Sequence, residues 1–273
     1  MLRKALMARR SKRVPRLPKQ AQPNTERLAY KGALLHLIAP IMVLVRAHFV
    51  PMLSRLVAKA GAVHDSADYP DDVEAALDRI AYEYFKELGT KPENVARAVG
   101  KRVSEKQRKE LEKQTAKVVG NISLEPFTEP GIADRVQAFV SANASLIKDV
   151  PRGLIADIKK RSIQSLRDGK RPEEIAQELE DRWGVAESRA ELIARDQVGK
   201  LYGEVNQARQ ENLGVTGYIW RTSEDERVRP EHEERDGEHF EWDDPPEDGH
   251  PGFPIQCRCI AEPDLEALVS SLE

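Results

Sequence analysis

Apolar residues recur at spacings of three and four along most of this chain, and only near the C-terminus does that rhythm break. The stretch TERLAYKGALLHLI offers Thr25 as a helix cap, and Leu28, Leu34, Leu35, Ile38, Ile41, Met42 and Val45 follow at helical spacing. Pro40 and Pro51 are expected to kink or divide this segment, and Gly61 to end it. DYPDDVEAALDRIAYEYFKELG reads as a helix started by Pro70 and its neighbouring acids and stopped by Gly89. KPENVARAVG reads as a short helix, and SEKQRKELEKQTAKVVG as a separate charged one, capped by Ser104 and closed by Gly120. After the loop NISLEPFTEPG come two helices separated at Pro151, and a further one starting at Pro172. The longest periodic segment follows, with Ala190, Ile193, Ala194, Val198, Leu201, Val205 and Ala208 in one stripe, and Gly214 where the glycine after a helix belongs.

Beyond Gly214 the texture changes. TGYIWRTS is aromatic and β-branched and predicts a strand. About thirty residues rich in Pro, Gly and acids follow, and PIQCRCIAEP predicts a second strand with Cys257 and Cys259 on the same face. A short helix, PDLEALVSSLE, closes the chain. The fold class is α+β: a mostly helical N-terminal body with a small β-containing, Pro/Gly-rich C-terminal knot. The expected organisation is a basic disordered arm over 1–24, a helical region suited to partner docking over 25–125, and a C-terminal domain over 126–273.

Composition narrows the class. The 273 residues carry 33% charged side chains, 5% aromatics and a net charge of −3, so no global basic field points to nucleic acid. Charge is nevertheless uneven. The first 20 residues hold eight Lys or Arg and no acid, whereas residues 224–248 are strongly acidic. The basic start lacks the apolar core and cleavage site of a secretory signal. It reads either as a solvated arm or as an arm that touches DNA or an acidic partner through Arg3, Lys4, Arg9, Arg10, Lys12 and Arg13. DNA contact elsewhere would involve the 97–117 helix. The most apolar run, residues 34–45, is shorter than the ~20 residues a bilayer needs, so it reads as a buried or partner-facing helix. Two cysteines in C-x-C spacing do not make a disulfide framework.

Candidate chemistry is confined to residues 220–259, which hold three of the six histidines and both cysteines. His232, His250, Cys257 and Cys259 form a sensible Cys2His2 zinc set, with Asp236 or His239 as substitutes. The C-x-C spacing argues against it, because in a strand the two thiols would stand ~7 Å apart unless the backbone bends. A second possibility is a metal-dependent nuclease using His232, Asp236 and His250. Cys257 as a nucleophile has no partner histidine fixed by sequence. There is no glycine-rich phosphate loop, no H-E-x-x-H and no H-N-H spacing. The third possibility is a rigid knot without chemistry. Prolines such as Pro246 stiffen it, Gly237 allows a tight turn, and Arg227, Arg229 and Arg235 can fork onto the carboxylates.

Four features in order carry a resemblance: a helix with IARDQ ending RQENLGV, the segment YIWRTSEDERVRPEH, then RDG with DDPP, and finally GHPG followed by PIQCRC. Together they resemble the minor head, or head morphogenesis, proteins of tailed phages, typified by the F protein of phage Mu. The resemblance covers roughly residues 142–263. Its motif residues here are Trp220, Asp225, Arg227, Arg229, His232, Asp236, Gly237, Pro246, His250, Cys257, Arg258 and Cys259. It implies a structural, non-enzymatic protein of the phage head, without a cofactor, present in few copies near the portal or inside the capsid and acting in procapsid assembly and DNA packaging or ejection. It further implies contact with portal and other head proteins, with packaged DNA nearby. Assembly would take place in the bacterial host cytoplasm, before residence in the virion head and without a membrane.

Overall fold

A computed structural model describes residues 17–62, 69–119 and 130–266. The elements are α1 (Asn24–Leu44), a π-helical turn (Val45–Phe49), α2 (Val50–Ala62), α3 (Tyr69–Leu88), α4 (Lys91–Val119), α5 (Ile132–Arg167), α6 (Pro172–Asn212), β1 (Gly217–Arg221), α7 (Pro230–Glu234), β2 (His239–Glu241) and β3 (Ile260–Pro263). The α+β expectation holds: helices make the body, and three short antiparallel strands lie near the C-terminus in the order β2-β1-β3.

The helices are longer than the sequence suggested. Pro40 lies inside α1 and Pro151 inside α5, and neither divides its helix. Both proline-bearing stretches bury apolar side chains on either side, Leu37 and Ile41 around the first, Ile147 and Leu154 around the second. Burial on both sides holds the helix together across one missing hydrogen bond. Pro51 is the second residue of α2, one residue past the π-helical turn. That wider turn draws the preceding carbonyls away from the proline ring, so the chain stays helical. The two helices expected over 91–119 are one, because Ser104 is not a cap but a buried residue facing a neighbouring helix.

Two compact units result, and they are not consecutive in sequence. One gathers the described residues within 29–95 and 142–193, the other those within 17–28, 96–141 and 194–266. The expected division at 125/126 lies outside the described residues. Helices of 36 and 41 residues, such as α5 and α6, rise about 54–62 Å, more than one small core covers, so each contributes to both units.

In the unit of residues 29–95 and 142–193 the only regular structure among the described residues is helical, around Tyr30, Leu34, Ile38, Ile41, Phe49, Leu53, Leu77 and Ile158. Its buried phenols are satisfied: Tyr30 donates to Asn143 Oδ1 at 2.8 Å and Tyr84 to the Leu37 carbonyl at 3.0 Å. Of the apolar run of residues 34–45, expected to be buried or partner-facing, Leu34, Leu37, Ile38, Ile41, Met42 and Val45 are core, whereas Val43 is exposed. The stretch Asn24–Val57 is long and apolar enough to cross a membrane by length and composition. One such helix is weak evidence for a span, and Leu34, Ile38, Ile41 and Phe49 of this stretch are spent on the core.

The other unit holds the β-sheet, packed on the second half of α6. A buried polar seam joins α6 to α4 and β3. Arg209 donates to the Ser104 carbonyl (2.8 Å), Ser104 Oγ (3.0 Å) and Gln107 Oε1 (2.5 Å). Asn206 and Gln210 both donate to the Ala261 carbonyl. Residues 17–23, expected within a disordered arm, pack here without regular secondary structure: Gln20 is buried between Gln114 and Tyr202. Arg3, Lys4, Arg9, Arg10, Lys12 and Arg13 lie outside the described residues, as does most of the expected C-terminal helix.

Candidate functional site

β1 is the central strand, and its alternation builds the floor of the knot. Tyr218 and Trp220 point into the core and are fully buried. The chain leaves β1, makes the single helical turn α7, and returns as β2. Pro230 opens α7 after an extended Arg229, which places His232 on its inner side, 2% exposed. Gly237, at φ 88°, turns the chain so that its N–H reaches the Trp220 carbonyl at 2.8 Å. Asp236 accepts from the Thr222 N–H at 2.7 Å and from its hydroxyl at 3.2 Å, closing this hairpin.

The returning segment, 249–259, wraps across α6. Gly249 and Gly252 have φ of 93°, and Gln256, unusually for a side-chain-bearing residue, has φ of 58°. Asp196 on α6 holds that bend by accepting the Gln256 N–H at 3.0 Å. The strand expected over PIQCRCIAEP begins only at Ile260, so Cys257 and Cys259 sit in the bend before it. The ~7 Å separation of a strand therefore does not apply. The Cys259 N–H turns back to Cys257 Sγ at 3.4 Å, and the Gly252 N–H approaches the same sulfur at 3.5 Å.

These two bends bring three groups together. His232 Nδ1 lies 3.7 Å from Cys257 Sγ and 3.4 Å from Cys259 Sγ. On the opposite side of the ring, His232 Nε2 lies 2.7 Å from Asp248 Oδ2, and the other oxygen of Asp248 accepts from Arg235 at 2.6 Å. Burial pushes the Asp248 carboxyl up, but the hydrogen bonds from His232 and Arg235 outweigh it and hold the group below its ordinary range. Hydrogen bonding from the Cys259 thiol draws Cys257 down to about 6, and the same contact together with burial pushes Cys259 up. Arg235 lies over the Trp220 ring, 5.1 Å from its centroid, and Trp220 meets His232 edge-on at 5.0 Å.

The other sequence candidates are placed elsewhere. His250 is not with the cysteines: its Nδ1 pairs with the Tyr218 hydroxyl at 3.0 Å, its ring packs edge-on against Trp242, and burial lowers its pKa. The Cys2His2 set is thus corrected to Cys2His. His239 faces Glu241 and Asp264, and Asp236 faces Thr222, so neither replaces His250. For the same reason His232, Asp236 and His250 do not assemble as a nuclease trio. Arg258 grips Asp225 with both guanidinium nitrogens, and Arg229 donates to the Ile255 carbonyl at 2.8 Å. Asp225 also accepts the Arg227 N–H at 3.0 Å, and the Pro246 carbonyl receives the Gly249 N–H at 2.8 Å. These residues tie the knot to itself. The three-residue cluster opens onto a pocket of about 300 Å³, whose rim carries Arg195, Arg227, Arg229 and Arg258. Sequence reasoning missed Asp248, Tyr218 and Asp196. Asp196 stands inside the IARDQ motif, and that was its available signal.

Residues 156–262 match the family described as Phage Mu protein F like protein, within the span over which the motifs show their resemblance. A curated relative from Haemophilus influenzae, named only as an uncharacterized protein, is 31% identical over 228 residues, covering 80% of this chain. The chain spans about half the length of that relative, 51%. No solved structure matches the chain significantly.

Proposed function

We propose that this chain, Mu F-like over residues 156–262, is a structural head-morphogenesis protein of a tailed phage, acting in procapsid assembly close to the portal. The family match carries the reading. The geometry supports it, because the motif residues Asp225, Arg229, Asp236 and Arg258 are spent on internal bonds that hold one shape. Its partners on this reading are the portal and other head proteins, with packaged DNA nearby. The knot's own surface is acidic, so any contact with DNA falls to the basic residues of the first 20 or to exposed cations of α4 such as Lys101 and Arg102. Those α4 cations differ from Arg108, which is already paired with Glu105 and Glu112.

Gradient sedimentation of an infected-cell lysate, with the chain followed by mass spectrometry, tests this reading. Comigration with procapsids and retention in finished heads is the expected result. A chain confined to the light fractions overturns it.

A further inference from the structure

Two thiols converge on a single imidazole nitrogen, which is one acceptor for two S–H groups. Asp248 is acceptor-only as a carboxylate, so the proton of a neutral His232 ring belongs on Nε2, 2.7 Å away. The tautomer is assigned from this network. Nδ1 is then left as a bare lone pair facing both sulfurs. Tetrahedral zinc with bonds of about 2.3 Å to sulfur and 2.0–2.1 Å to nitrogen separates a sulfur from a nitrogen ligand by about 3.6 Å. The two distances here are 3.4 and 3.7 Å. All three ligand atoms lie within 4.8 Å of one another, and all three residues are buried.

The surroundings fit thiolates better than thiols. Two backbone N–H groups approach Cys257 Sγ. The Trp220 indole N–H is buried without a full hydrogen bond and faces the Cys259 sulfur in the same packed cluster, so a thiolate there would satisfy it. A carboxylate on the far nitrogen of a ligating histidine is the usual device that fixes its tautomer and raises its basicity. Charge also balances: a divalent ion with two thiolates is neutral, and Asp248 is offset by Arg235.

We propose that His232 Nδ1, Cys257 Sγ and Cys259 Sγ bind one zinc ion, with Asp248 as the positioning residue behind His232. Both sulfurs ligate as thiolates, and any proton either still carries leaves to solvent. Among the described residues no fourth His, Cys, Asp or Glu joins the group, so water reaching the ion from the arginine-rimmed pocket completes the tetrahedron. A nucleophilic Cys–His–Asp arrangement needs one thiol on the imidazole; two buried thiols at nearly equal distance favour a ligand role.

The test is elemental analysis of the full chain purified without chelator, with cobalt titration of the stripped protein. About one zinc per chain is expected, with thiols that react with a disulfide reagent only after chelation. Cobalt should give the thiolate charge-transfer and tetrahedral d–d bands. His232→Ala and Cys259→Ser should lose these bands, whereas His250→Ala should keep its metal. Asp248→Asn should weaken cobalt binding by about 10–100-fold while preserving the bands. A metal-free wild-type chain that shows no cobalt bands overturns the proposal, as does a Cys257–Cys259 disulfide in protein purified under reducing conditions. Full loss of metal in a folded His250→Ala chain overturns it as well. The wild-type cobalt measurement decides the matter even where a variant fails to fold.

Discussion

Gly203 on α6 and Gly252 in the returning loop meet backbone to backbone. A Cβ built on Gly252 would stand 3.4 Å from the Gly203 Cα and 2.9 Å from the Gly199 carbonyl oxygen. A Cβ on Gly203 would stand 2.7 Å from the Pro251 carbonyl oxygen, which is backbone and cannot step aside. The two helix glycines, one turn apart, form the notch into which the cysteine-bearing loop settles.

Gly203→Ala therefore sets two effects against each other. Alanine favours a helix interior over glycine by about 1 kcal/mol. Overpacking against a fixed backbone costs about 1–3 kcal/mol. At Gly203 the overlap dominates, and chemical denaturation should show a net loss of stability. Gly184→Ala is the control, on the same helix with nothing within 4 Å of its Cβ, and it should gain up to about 1 kcal/mol.

Arg209 is 1% exposed, and its guanidinium reaches a carbonyl, a hydroxyl and a side-chain amide of α4. Arg209→Met should destabilise, because each buried partner left unsatisfied costs roughly 1–3 kcal/mol. Arg209→Lys should not rescue it, since one ammonium cannot reproduce the planar fork. Urea unfolding followed by far-ultraviolet circular dichroism measures both. A lysine variant as stable as the wild type would show that charge, not geometry, is what matters there.

Asp196 anchors the bend at Gln256, whose φ of 58° is disfavoured for a residue with a side chain. Asp196→Ala removes the acceptor of the Gln256 N–H and should loosen the loop that carries both cysteines. Hydrogen exchange should then rise at 252–259 while the helices of residues 29–95 keep their protection. Replacing Gln256 by Gly as well should recover part of the loss, as glycine adopts that conformation without strain.

Much of this arrangement was legible beforehand, and the failures have physical causes. β1 was readable from GYIWR, because its aromatic and β-branched residues favour an extended chain. β2 was not, since His239–Glu241 is too short and polar to carry a pattern. Helix boundaries at Pro151 and Ser104 were misplaced because burial on both flanks overrides local breakers. The cysteines and His232 were visible as candidates by residue type. Their convergence was not, because it depends on a left-handed Gln256 held by a carboxylate sixty residues earlier. His250 looked equivalent to His232 in sequence; the Tyr218 hydroxyl and the Trp242 ring hold the first, and Asp248 the second.

His239 supplies a pH-dependent prediction. Its Nδ1 lies 2.7 Å from Asp264 and its Nε2 2.9 Å from Glu241, so both ring nitrogens face carboxylates. Only the imidazolium donates to both, and the hydrogen bond to Glu241 foremost, then that to Asp264, raises its pKa above the ordinary histidine value despite partial burial. A group whose pKa rises on folding contributes stability in full below its unfolded value, about 6.5. That contribution fades as pH climbs through the folded value. The pair is substantially exposed, with 38% of the His239 side chain and 45% of that of Glu241 in solvent, so the effect is no more than about 1 kcal/mol and shrinks with salt. His239→Gln should accordingly be less stable than the wild type at pH 5–6 and should match its pH dependence above about pH 9. The ring also covers Gly217 on the neighbouring strand, where a Cβ would come within 2.5 Å of it. Loss of that cover costs the same at every pH, so a gap that stays constant from pH 5 to 9 would assign His239 to packing alone.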